Sequence, residues 1–213
     1  MIWHFKFLLT TCLFFKVSSY SFSQINQNLK HQLDSISRLD LIYRNEVNLI
    51  MTNQQLQDSI LFASNKTLEI YVQEIMLKQE LLDESNLKWI DSIIKIYGYP
   101  GKKLVGIPTN DVTWSILQHS YDIDKHLKLI KKASKCQDIS SELYAKMIDR
   151  NLMHKGRRQL YGTQFECIPN EKGDLDCKLY TIKRKSNVNK RRKKMGFSTT
   201  VEEHAKELGI TKN

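Results

Sequence analysis

Between Gln24 and about Leu82 the chain has neither Gly nor Pro, and its apolar residues recur at helical intervals. Leu29, Leu33, Ile36, Tyr43, Val47 and Ile50 are spaced like one face of a long amphipathic helix. Leu68, Tyr71, Ile75 and the pair Leu81–Leu82 continue the pattern in a second helix, with the break somewhere from Met51 to Gln57. The spacing predicts two core-packing helices in an antiparallel hairpin. A sustained coiled coil is the alternative, and the heptads do not persist in its favour. Asp83 or Ser85 can cap a further helix, on which Leu87, Ile90, Ile93, Ile94 and Tyr97 form an apolar stripe. Gly98-Tyr99-Pro100-Gly101 has the G-x-x-G form of a nucleic-acid-binding loop, but in this setting it reads as a helix stop.

Beyond a loop with Gly106 and Pro108, short helices are expected from about Asp111 to His119 and from about Asp122 to Cys136. Ser140 caps another that runs to about His154 and is closed by Gly156. The period then changes. Tyr161 to Cys167 and Cys177 to Ile182 are short β-rich runs on either side of Pro169-Asn170-Glu171-Lys172-Gly173-Asp174, the pattern of a β-hairpin with a loose loop. An irregular basic segment follows, then a last helix from Thr199 to Leu208, with Thr199 and Glu202 spaced as a capping box. The expected fold is mainly α: about seven helices with one small β-hairpin near the C-terminus.

The N-terminus reads differently from the rest. A short basic start, an apolar run from Phe7 to Phe15 and a small-residue exit at Ser21 and Ser23 are the parts of a secretory signal peptide over residues 1–23. The apolar run is too short to span a bilayer, so no transmembrane segment is expected after its removal; an uncleaved anchor is the alternative. The expected organisation is then a helical hairpin over 24–82 and a domain over 83–213, with the β-hairpin at 161–182 and the basic segment at 183–194. The chain of 213 residues has a formal net charge of +10, and residues 1–23 carry two lysines and no acid. From Lys178 to Lys194 there are nine basic residues and no acidic one, so the remainder, at 10 − 2 − 9 = −1, is nearly neutral. One strip is basic, not the protein. It points to an anionic or cell-envelope contact or to a solvated surface, and away from nucleic acid, because no aromatic residues interleave with the charges.

Metal and cofactor chemistry has no support. Cys-x-x-Cys, His-x-x-x-His and His-Glu-x-x-His are missing, His119 and His126 are separated by a turn, and no Gly-rich phosphate loop or G-x-S-x-G elbow occurs. Of the cysteines after residue 23, Cys167 and Cys177 are symmetric about the hairpin loop and can face each other as a disulfide, leaving Cys136 as a buried spare thiol.

A series of polar and aromatic residues runs through the C-terminal two thirds: Gly98-Tyr99-Pro100, Trp114, Gln118-His119, Asp149-Arg150, Gln159, Tyr161-Gly162-Thr163-Gln164, Asn189, Arg191-Arg192 and Met195-Gly196. It resembles a bacterial domain family of unknown function with secreted Bacteroidetes and cytoplasmic actinobacterial members. The resemblance covers about Asp83 to Leu208 and extends to the N-terminal helices only through Asp40 and Arg44. It implies no activity. Two functions follow from these residues. One is a non-catalytic exported module that binds an envelope or anionic partner. The other is a periplasmic hydrolase or transferase in which His119 is acid or base, Asp149 orients it, and Gln164 and Arg192 hold an anion. Trp114, Gln118, Arg150, Tyr161 and Arg191 are the remaining candidate binding residues.

Overall fold

The structure, a computed structural model, describes residues 24–169 and 175–210; the expected signal peptide and the tip of the hairpin lie outside them. The chain is mainly helical, with one two-stranded antiparallel sheet among the described residues. The helices are α1 (Gln27–Asp40), α2 (Ile42–Thr52), α3 (Gln54–Ser64), α4 (Leu68–Tyr97), α5 (Lys102–Val105), α6 (Val112–Leu117), α7 (Asp124–Lys135), α8 (Ser141–His154), α9 (Val188–Lys194) and α10 (Val201–Glu207). Strands β1 (Phe165–Pro169) and β2 (Leu175–Leu179) lie between α8 and α9. No described helix is long and apolar enough to cross a membrane.

The expected first helix is interrupted at Leu41, which keeps helical dihedrals, so α1 and α2 meet at a kink rather than a loop. Asn53 punctuates the next junction. It leaves helical geometry and its side chain accepts from the Leu56 N–H, capping α3. The helix boundary expected at Asp83 or Ser85 does not exist, because α4 runs without a break for 30 residues from its Thr67 cap. Asp83 has the chemistry of a cap, but its carboxylate is taken laterally by Arg44 on α2, and tertiary pairing overrides local preference.

The core gathers one face of α1 (Leu29, Leu33), the second half of α4 (Ile90, Ile93), α6 (Trp114, Ile116, Leu117), α7 (Ile130, Ala133) and Met147 of α8. The first half of α4 packs on α2, with Ile50 and Ile75 buried, whereas α3 buries none of its side chains. α8 begins at its Ser140 cap and is closed by Gly156 at φ +63°, as the pattern predicts. Asn151 on α8 donates to Asp124 at the start of α7 at 2.8 Å, which fixes the relative rotation of these two helices.

Cys167 faces Cys177 in register, the two Cα atoms are 4.0 Å apart, and a disulfide joins them. Closing this ten-residue separation is worth about 2–3 kcal/mol by loop entropy. Cys136 is exposed, not buried: it lies beyond the last inward residue of α7, Ala133, where the chain turns away through Gln137 at φ +61°. The strands are shorter than expected because residues 159–164 form a clamped loop instead of sheet. The basic segment is also more regular than expected. A 3-10 turn over Lys185–Asn187 leads into α9, for which Lys and Arg are good formers. The final capping box uses Thr200 and Glu203, one residue later than the spacing suggests, since Thr199 is bonded to Arg192 and Glu202 to Asn189.

Candidate functional site

The polar residues of α8, the following loop and α9 form a clamp around the backbone of residues 159–164. Asp149 is fully buried and accepts from the N–H groups of Leu160 at 2.7 Å, Tyr161 at 3.0 Å and Thr163 at 3.1 Å, and from the Thr163 hydroxyl at 3.0 Å. Gln159 brackets the same loop: its Oε1 accepts from Thr163 and Gln164 N–H, and its Nε2 donates to the carbonyls of Gln164 and Tyr180. Gln164 is itself buried and its amide donates to the Thr163 hydroxyl.

The loop's carbonyl side is held from α9. Arg191 Nε donates to Leu160 O at 2.6 Å, and Arg192 Nη1 to Tyr161 O at 3.0 Å. Arg192 is only 1 % exposed; it also donates twice to Thr199 and lies over the Phe197 ring. Lys193 and Lys194 point to solvent. The two arginines therefore turn back toward Asp149 through the loop between them, anion on the N–H side and cations on the C=O side. Burial pushes the Asp149 carboxyl upward, and the loop N–H groups of Leu160 and Thr163, the Thr163 hydroxyl and the Tyr161 N–H oppose it. The charged groups of this assembly, Asp149, Arg191 and Arg192, all have protein partners.

His119 belongs to a different neighbourhood. It follows the end of α6, half-buried, and the charges acting on it are those of Arg44, Arg150 and Asp83. Asp149 and Arg150 are adjacent on α8 and so leave it about 100° apart, which sends the carboxylate into the loop clamp and the guanidinium to another flank, where its charge acts on His119. Arg44 Nη2 contacts both Asp83 oxygens, at 2.6 and 2.7 Å, and its Nε lies 3.9 Å from Asp40. Asn86 reaches Asp40 at 3.5 Å, and Gln79 donates to Asp83 at 2.7 Å.

The electrostatics are lopsided. Arg44 has Asp83 and Asp40; the Arg150 side chain makes no hydrogen bond or ion pair with any described residue, although it is half-buried. Burial and the nearby Arg44 charge push its pKa downward. Burial, then Arg44 and Arg150, push the His119 imidazole down from 6.5 to about 4, outweighing Asp83, so it is neutral at pH 7. A neutral imidazole beside an unpaired guanidinium can accept a proton or, from its N–H, donate to an anion. Trp114 is structural, since its Nε1 donates to Leu143 O at 2.8 Å and ties α6 to α8, while Gln118 is half-buried at the end of α6. Gln79 and Asp83 are the members that the sequence does not mark as site residues, whereas Asp40 and Arg44 carry the resemblance but are not placed beside His119 by it. The Asp40–Arg44 spacing of one helical turn was the available signal, but the Arg44–Asp83 pair spans 39 residues and no local pattern carries it. Among the described residues no group of three or more His, Cys, Asp and Glu could hold a metal ion.

A helical body with a disulfide-closed hairpin, a clamped loop and a basic-and-neutral cluster on α2, α6 and α8 defines a small, mainly helical domain. The chain belongs to the family of unknown function DUF6624, whose model matches residues 43–209. That span begins within α2 and includes Arg44, so the His119 cluster and the loop clamp both fall inside the family domain. No curated protein and no solved structure matches the chain.

Proposed function

We propose that this protein is a non-catalytic helical module that binds an anionic ligand at Arg150, with Arg44 behind it and neutral His119 beside it. The observation that carries this reading is the unpartnered, half-buried guanidinium of Arg150. Withdrawing a cation from water without a counter-ion is costly, and an incoming carboxylate or phosphate would supply the missing charge in bidentate geometry. The loop clamp contributes the scaffold, since its own charged groups are already paired. In a calorimetric titration with inorganic phosphate, Arg150→Met is expected to weaken affinity at least tenfold while the melting temperature holds or rises. Equal affinity in the variant would sink the proposal.

A hydrolase or transferase at the same place is the second reading, favoured by an imidazole that is neutral at pH 7 and able to take a proton. It would have to work without Asp149 as orienter, because that carboxylate is committed to the loop. We further propose that the module acts outside the cytoplasm, in the periplasm or beyond, on the strength of the tripartite pattern in residues 1–23. N-terminal sequencing of the exported protein is expected to begin near Gln24, and recovery of intact Met1 would count against export with cleavage.

A further inference from the structure

The basic segment divides by direction. Arg191 and Arg192 turn inward, where their planar forks meet fixed carbonyls of the clamped loop and of Thr199. Lys183, Arg184, Lys185, Lys190, Lys193 and Lys194 are all exposed, and none of these side chains forms a salt bridge or hydrogen bond with a described residue. Arg191 also gathers them: its Nη2 donates to Lys183 O at 2.8 Å, which fastens the chain before α9 against that helix. Within α9, Lys190 lies one turn from Lys193 and Lys194, so three like charges share a face. Such spacings of like charge destabilise an isolated helix, and an apposed negative surface would relieve them. The neighbouring acids of α10 are engaged elsewhere. Glu202 accepts from Asn189 at 2.8 Å, and Glu203 from the Thr200 N–H and hydroxyl.

Beside these lysines a depression of about 580 Å3 lies between α9 and α10, lined by Lys190, Lys193, Phe197, Ser198 and Thr199 among others. Ser198 is exposed, and neither its hydroxyl nor its N–H is bonded to a described residue. Two ammonium groups and a free hydroxyl next to an aromatic ring fit a phosphodiester, with its oxygens on the donors and its carbon arm against Phe197. The kind of cation narrows the partner further. Five of the six exposed ones are lysines, point charges on flexible stems that suit a diffuse layer of headgroups better than one ligand in fixed geometry. No aromatic residue occurs from Lys183 to Lys194, which removes the stacking platform that a nucleic-acid strand would use.

We propose that residues 183–185 and the lysine face of α9 dock on a membrane surface rich in anionic phospholipid, with one headgroup phosphate seated between Lys190, Lys193 and Ser198. Each cation that reaches such a surface strengthens association about fivefold, and the attraction fades as salt shortens its range. The docking face goes beyond the anion reading at Arg150 and does not require it.

The test is sedimentation of the full chain with vesicles of phosphatidylcholine alone and of an equal mixture with phosphatidylglycerol. The apolar run in residues 1–23 is common to every arm, so the quantity read is the gain on adding the anionic lipid. That gain is expected to be about tenfold or more in about 0.1 M salt and to vanish in about 1 M. The triple variant Lys190→Gln, Lys193→Gln, Lys194→Gln should lose most of it at an unchanged melting temperature, since all three side chains are exposed. Lys128→Gln, Lys131→Gln, Lys135→Gln on α7 alters the net charge equally and should keep it. No gain with phosphatidylglycerol, or equal losses in the two triple variants, would overturn the proposal. So would a DNA duplex that binds the chain more tightly than the mixed vesicles at equal phosphate concentration, which would assign the face to nucleic acid. Release by inorganic phosphate beyond that by sodium chloride of equal ionic strength would reduce the face to a small-anion pocket and overturn docking. The α9 variant should keep the phosphate affinity assigned to Arg150, so the failure of one site is distinct from failure of the other.

Discussion

Asp149→Ala is expected to lower the free energy of unfolding by about 3–5 kcal/mol, the largest loss of any single substitution considered. The carboxylate is fully buried, and the N–H groups of Leu160 and Tyr161 have no other acceptor. Removing it leaves two buried donors unsatisfied, each costing about 1–3 kcal/mol, and opens a cavity at the base of the loop. Thr163 suffers less because Gln159 also accepts from its N–H. Asp149→Asn keeps one oxygen and should lose roughly half as much. Urea melts of the three proteins measure this directly. A loss under about 1 kcal/mol for the alanine variant would mean that the carboxylate does not order the loop.

Gly162→Ala is the second large effect. The backbone there is left-handed at φ +68°, and a Cβ would lie 2.4 Å from Cγ2 of buried Val201. The left-handed backbone costs about 1–2 kcal/mol for a residue with a Cβ, and forcing apart a packed valine adds about 1–3 kcal/mol. Because Val201 opens α10, the substitution should also detach that helix, seen as faster amide exchange in residues 201–207. An alanine variant as stable as the parent, with α10 equally protected, would show that the loop and α10 do not pack as described.

Elements whose signals are local were legible in the sequence. Ser140 and Gly156 bound α8 because both act on their own helix ends, and Cys167 and Cys177 face each other because a hairpin places symmetric positions opposite. What escaped depends on distant partners. Asp83 reads as a cap until Arg44, 39 residues away, occupies it sideways, and so one helix was divided into two. The basic strip looks solvated as a whole, yet Arg191 and Arg192 turn inward and donate to the carbonyls of Leu160, Tyr161 and Thr199, while Lys193 and Lys194 stay exposed. The same limit applies to the site. Asp149 and Arg150 are neighbours in sequence, and one helical step separates a structural carboxylate from the guanidinium whose charge acts on His119.

The anion site proposed at Arg150 and His119 has a direct probe in the imidazole itself. With its pKa pushed down to about 4, His119 takes up a proton later than it does in the unfolded chain, where 6.5 applies. Stability linked to this group is therefore present above pH 6.5 and lost as pH falls toward about 4. A bound anion would offset Arg44 and Arg150 and favour the imidazolium, so it must raise the pKa. The decisive measurement is the NMR titration of the His119 ring with and without inorganic phosphate, in the parent and in Arg150→Met. The expected result is a midpoint near 4 in the free protein, an upward move with phosphate, and in Arg150→Met a higher starting midpoint that phosphate no longer moves. A midpoint indifferent to phosphate in the parent protein would contradict it.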